Sequence, residues 1–153
     1  MRQLASDFLP DEITVTELAA WADILPVQCR VLGANLFADV FLADAAGAVH
    51  MLEISVGSIT EIAASEQEFR QRCFDDADGW LLRALVNRCR SAGMILGASQ
   101  CYAFTTLPLF GGEYELDNIW MCSRRDWVSF TGHIYAETKD LPDGATVKIS
   151  IAD

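Results

Sequence analysis

The chain has 153 residues, about one domain's length, and its 52% hydrophobic against 22% charged residues can build a core. No apolar run approaches the roughly 18–20 residues of a membrane-spanning helix, and the first seven residues lack the apolar stretch of an export signal, so the expected compartment is cytoplasmic. Eleven basic against 22 acidic residues give a net charge of −11, which repels phosphate backbones: direct nucleic-acid binding is excluded and a basic partner is the natural complement.

Thr14 and Glu17 fit a capping box, and Leu18, Trp21 and Leu25 recur at helical spacing. This predicts a helix over 14–25, ended by Pro26, which disfavours helical geometry in the residue before it. The segments 37–43 and 49–54 are apolar and rich in β-branched and aromatic residues, with a turn at 44–47 between them, and so read as a hairpin. A third short strand follows Gly57 over 58–62.

Ser65 and Glu68 form a second capping box and open a helix near 66–75 that carries Phe69 and Cys73 inward. A helix near 80–92 gathers Leu81, Leu82, Leu85, Val86 and Cys89 on one face, with Arg83, Asn87, Arg88 and Arg90 opposite and Gly93 as the stop. Strands at 100–105 and 118–122 flank an irregular loop at 107–112, broken by Pro108 and by Gly111 and Gly112. Ser123 and Asp126 start a helix near 124–138 with a buried stripe of Trp127, Phe130, Ile134 and Leu141. After a turn at 141–144, Val147, Ile149 and Ile151 alternate as a closing strand. The expected fold is α+β: one mostly antiparallel sheet of about five to six strands packed with three to four helices, in a single domain over 1–153.

The residues that could carry chemistry give little. Cys29, Cys73, Cys89, Cys101 and Cys122 are odd in number and form no CxxC or CxxH pair, so reduced thiols, no disulfide and no zinc site are expected. An EF-hand reading of the Asp75–Gly79 stretch would put Phe74 and Leu85 where carboxylates are required. His50 and His133 have no partner at ligand spacing and read as structural, although a Cys–His pair assembled in space is a conceivable catalyst. Gly111 and Gly112 precede Glu113, which would repel phosphate. Trp21, Trp80, Trp120 and Trp127 all fall on apolar periodicity and read as core anchors. No metal and no cofactor are expected.

Charge distribution is more informative. Residues 1–78 hold 14 acidic and 4 basic residues, whereas residues 79–153 hold 8 and 7. Asp75, Asp76 and Asp78 form one local acidic cluster, and Glu113, Glu115 and Asp117 form another. Solubility alone accounts for such clusters; the functional alternative is an acidic face that meets a basic one.

Several short words stand in a familiar order: the hairpin over 39–52, the strand at 57–62, Ser65 with Glu68 and Phe69, Gly97–Phe104, Leu109–Gly112, Asn118–Ile119 and Leu141–Gly144. Over roughly 29–151 the chain resembles the C-terminal domain family of type VI secretion immunity proteins, long catalogued as a domain of unknown function and often found beside GAD-like domains. Residues 1–28 would add an N-terminal helix. Where the family commonly has Phe-Gly, this chain has Phe37 and Ala38, a small-for-small change expected not to disturb a strand. The resemblance implies a non-enzymatic protein that neutralises a cognate antibacterial toxin, typically a nuclease, by direct binding in the cytoplasm. Carboxylates could then occupy the basic cleft a nuclease presents to phosphate. Glu113, Glu115 and Asp117 are the first candidates, with Phe110 and Tyr114 as an aromatic anchor, and Asp75, Asp76 and Asp78 the second. The alternatives are a generic protein-interaction or regulatory module of the same fold with no toxin partner and, third, an enzyme.

Overall fold

Four strands, β1 (Arg30–Ala34), β2 (Val40–Ala43), β3 (Val49–Glu53) and β4 (Ser58–Ala63), pair antiparallel in chain order. The computed structural model describes residues 6–10, 12–142 and 144–145, so the strand expected at 147–151 lies outside the described residues and the 141–144 turn lies only partly within them. The hairpin expected between β2 and β3 is present. Asp44 Oδ1 accepts the Ala46 and Ala48 N–H groups at 3.0 Å each, and Gly47 takes the left-handed conformation the turn needs.

Its central strands, β2 and β3, are buried on both faces. Val40, Leu42 and Leu52 join the larger core with Trp21, Phe37 and Tyr102, while Phe41, Val49 and Met51 join a smaller one with Phe69, Cys73 and Leu81. Two-sided burial explains why β2 is an unbroken apolar run instead of an alternating one.

A second sheet pairs β5 (Gln100–Phe104) antiparallel with β6 (Ile119–Ser123). The α+β class and the antiparallel pairing hold, with six described strands, but they form a four-stranded and a two-stranded sheet instead of one. The join is local: Tyr102 N–H donates to Leu36 C=O at 2.9 Å. Extension past that point is broken by the turn at residues 35–39, built on the buried Asn35. Its Oδ1 accepts the Phe37 and Asp39 N–H groups, and its Nδ2 donates to Asp39 Oδ2 and Trp80 C=O. Ala38, expected in a strand, sits in this turn with φ 66°, a conformation that favours glycine.

The first helical segment forms, shorter and tighter than expected. It is a 3₁₀ helix, Val15–Trp21, capped by Thr14 through the Glu17 N–H, with Leu18 and Trp21 fully buried. Helix α1 (Glu66–Asp75) starts as expected, with Ser65 Oγ accepting the Glu68 N–H at 3.1 Å; Glu68 reaches back to the Ala64 N–H. Helix α2 (Arg83–Ser91) begins three residues later than expected, because Leu82 is left-handed with φ 53°. Trp80 therefore lies outside the helix, stacked on Phe69 at 5.9 Å with the Arg72 guanidinium over its ring. Arg83, expected on the solvent face, pairs with the buried Asp7.

Helix α3 (Arg124–Thr138) has the expected bounds, and Trp127 and Ile134 are buried. Gly132 lets the 3₁₀ helix approach closely: a Cβ there would lie 3.0 Å from Ala20 Cβ. An Arg124–Glu17 ion pair ties the two elements. Leu141 falls beyond the helix and is exposed, as is Trp120 on β6 at 47%, so neither is the core anchor its periodicity implied. Alternation along β6 turns Trp120 away from the core that takes Ile119.

Candidate functional site

The segment joining β5 to β6 is long, yet closely fixed. Pro108–Phe110 and Leu116–Asn118 form single 3₁₀ turns. Asn118 Oδ1 accepts the Thr106 N–H at 2.8 Å, while its Nδ2 donates to the Thr106 and Glu113 carbonyls at 2.9 Å each. Gly112 passes so close to Thr106 that a Cβ there would lie 1.8 Å from the Thr106 carbonyl oxygen. The loop also rests on the β3–β4 turn, where Leu109 N–H donates to Ser55 C=O. Rigid loops of this kind can present side chains without a large ordering cost.

On this scaffold Glu113, Glu115 and Asp117 are all exposed. Glu115 meets Arg88 of α2 at 3.5 Å, which neutralises part of its charge. Phe110 is 37% exposed and, with Leu109, lines a groove of about 420 Å³ that also includes Val56, Gly57, Tyr135 and Leu141. Tyr114 sits differently. Its ring packs edge-on against Phe104 at 5.0 Å, and burial, followed by the nearby Asp39 and Glu53 charges, pushes its phenol up to about 12. Tyr114 is as exposed as Phe110, at 37%, and differs from it in the edge-on contact that ties its ring to Phe104.

The second cluster divides. Asp75, the last residue of α1, accepts from Gln71 Nε2. Asp76 caps that helix with its backbone N–H. Asp78 Oδ1 accepts the Ala84 N–H at 2.9 Å and so caps the first turn of α2. Ala84 and Arg88 are four residues apart on one exposed face, so Asp78 and Glu115 reach α2 about one helical turn apart. Short-range sequence reading named both clusters. It did not find that Asn118 and Arg88 hold the Glu113–Asp117 cluster, because those contacts span 5 to 27 positions.

Away from this loop, His50 has a partner that its spacing had not suggested: its Nε2 lies 2.8 Å from Asp44 Oδ2. His133 is exposed on α3. Cys101 and Cys122 face each other across β5 and β6. Among the described residues no helix is long and apolar enough to cross a membrane.

Residues 63–134 match the family model described as T6SS immunity protein Tdi1, C-terminal. The family resemblance expressed in the sequence is thereby found independently, over a span a little under half the chain and narrower than the expected 29–151. The matched span runs from the end of β4 into α3 and includes both acidic clusters and the whole β5–β6 loop; most of the four-stranded sheet lies outside it. No curated protein matches the chain.

Proposed function

We propose that this chain is an immunity protein that binds and neutralises a cognate type VI secretion toxin in the cytoplasm, without catalysis of its own. The observation that carries this reading is the family match over 63–134, which contains the fixed, acid-bearing loop between β5 and β6. Glu113, Glu115 and Asp117 supply negative charge, and Phe110 and Leu109 supply exposed apolar surface beside it. A basic catalytic cleft is the complement of such a surface, so a nuclease is the toxin class it fits best. Electrostatic steering can raise association rates by roughly 10–10³-fold, an advantage for an inhibitor that must bind before its target cuts nucleic acid.

The test is co-expression with the toxin encoded by an adjacent gene, followed by purification of the pair. Growth rescue together with a stable complex that blocks nucleic-acid cleavage is expected. A toxin that stays fully active with an excess of this chain overturns the reading.

A further inference from the structure

We propose that Asp44, His50 and Glu61 form a binding site for one first-row divalent transition ion at the end of the four-stranded sheet. This inference is independent of the toxin reading, since all three residues lie outside the matched span.

The strand register assembles the trio. His50 of β3 stands opposite Leu42 of β2 and Glu61 of β4, and Asp44 is the first residue after β2. Leu42 and Leu52 on this face belong to the larger core, and the polar trio stands where that core reaches the hairpin end. The β3–β4 register shifts between Val49 and His50, adding a residue to β4 beside the site. Bulges of this kind re-aim neighbouring side chains. The freed Ile62 carbonyl is taken up by Arg72 Nη1 at 3.1 Å.

Geometry favours a metal. One ligand atom from each of the three residues lies within 4.8 Å of the others. His50 Nε2 and Asp44 Oδ2 are 2.8 Å apart, near the roughly 3 Å edge expected for two cis ligands with bonds of about 2.1 Å. Glu61 is exposed and its carboxylate has no hydrogen bond or ion pair among the described residues, so it is free to close on an ion.

Charge favours it too. With a neutral imidazole the trio carries two carboxylate charges, and no lysine or arginine among the described residues pairs with Asp44 or Glu61. A dication would balance them. One imidazole nitrogen and two carboxylate oxygens suit Zn²⁺, Co²⁺ or Mn²⁺ better than Ca²⁺ or Mg²⁺, which favour all-oxygen shells. Asp44 Oδ1 already accepts two backbone N–H groups, so its other oxygen is held toward the site.

Co²⁺ titration of the full chain under reducing conditions, followed by visible absorption, tests this. The expected result is saturable binding of one Co²⁺ with d–d bands and no thiolate-to-cobalt charge-transfer band. Glu61→Gln leaves the Asp44–His50 pair intact and should weaken binding at least tenfold, and His50→Gln should abolish it. Glu137→Gln, exposed on α3, should bind as wild type. The proposal is overturned by absent saturation, by a thiolate band, or by Glu61→Gln and His50→Gln proteins that bind Co²⁺ as tightly as wild type.

Discussion

Asn118 grips both backbone polar groups of Thr106, accepting from the N–H at 2.8 Å and donating to the carbonyl at 2.9 Å. The same Nδ2 also holds the Glu113 carbonyl in the middle of the loop. Asn118→Ala removes three hydrogen bonds at a partly exposed site. At about 0.5–1.5 kcal/mol for each, a loss of roughly 2–3 kcal/mol is expected in urea denaturation. Amide exchange over 106–117 should accelerate. Unchanged exchange there would mean the loop is held by something else.

Ala38 offers the opposite kind of change. Its φ of 66° places an alanine where glycine is at ease, and the turn is enforced by the Asn35 side chain on either side. Ala38→Gly relieves about 1–2 kcal/mol of left-handed strain, of which the greater unfolded-state freedom of glycine takes back about 0.5–1 kcal/mol. The thermal midpoint should rise by a few degrees. A lower midpoint would show that the buried Ala38 methyl contributes more by packing than its strain costs.

These two positions show what was legible in the sequence. Caps and stops acting within four residues were legible: Thr14, Ser65, Ser123 and the Gly47 turn all stand where the spacing put them. Alternation and apolar runs located β2 to β6. Strand β1 was missed, because Gly33 and the charged Arg30 break its pattern and pairing with β2 supplies what propensity does not. Leu82 shortened α2 from its expected start, since a left-handed residue leaves no periodic trace. The candidate acids were visible as clusters, but Asp78's role as a cap and Glu115's partner depend on where α2 is placed.

Asp39 links stability to pH. Burial pushes its carboxyl from 3.8 up to about 7, against the lowering effect of the Asn35 and Ile54 hydrogen bonds. A raised acid keeps its proton in the folded state after the unfolded chain has released it. Its contribution is fully present below about pH 4 and is lost as pH rises through about 7. The urea midpoint should therefore fall between pH 5 and pH 8, with a smaller fall in Asp39→Asn, which retains an acceptor for the Ile54 N–H. Equal slopes in the two proteins would remove Asp39 as the cause.

Cys101 is buried, and its neighbour across the sheet, Cys122, is half-buried. A hydrogen bond between the thiols lowers the Cys122 pKa and raises that of Cys101, and burial raises Cys101 further. Under reducing conditions Cys122 should be alkylated well before Cys101, Cys73 and Cys89, all three of which are buried and raised. Cys101→Ala removes the donor and should slow Cys122 alkylation severalfold. Denatured, non-reduced protein should titrate five thiols; three or fewer would contradict the reduced state expected of the chain.

The interface prediction follows from what each acidic cluster already does. Glu113 and Asp117 are exposed with fixed backbones, and Glu115 has only an exposed partner, Arg88, so reversing all three to lysine changes charge at little structural cost. Reversing Asp78 would remove the α2 cap, at about 0.5–2 kcal/mol, and would confuse folding with binding. The matched comparison is therefore Glu113→Lys, Glu115→Lys and Asp117→Lys together, against Asp75→Lys with Asp76→Lys. If the β5–β6 loop meets a basic cleft, the triple variant should slow toxin association at least tenfold at low salt and flatten its salt dependence. The Asp75 and Asp76 pair should do less. Phe110→Ala should act mainly on dissociation, because an apolar anchor is lost only after contact. Wild-type affinity in both charge variants across a salt series would rule out carboxylate recognition, even with growth rescue intact.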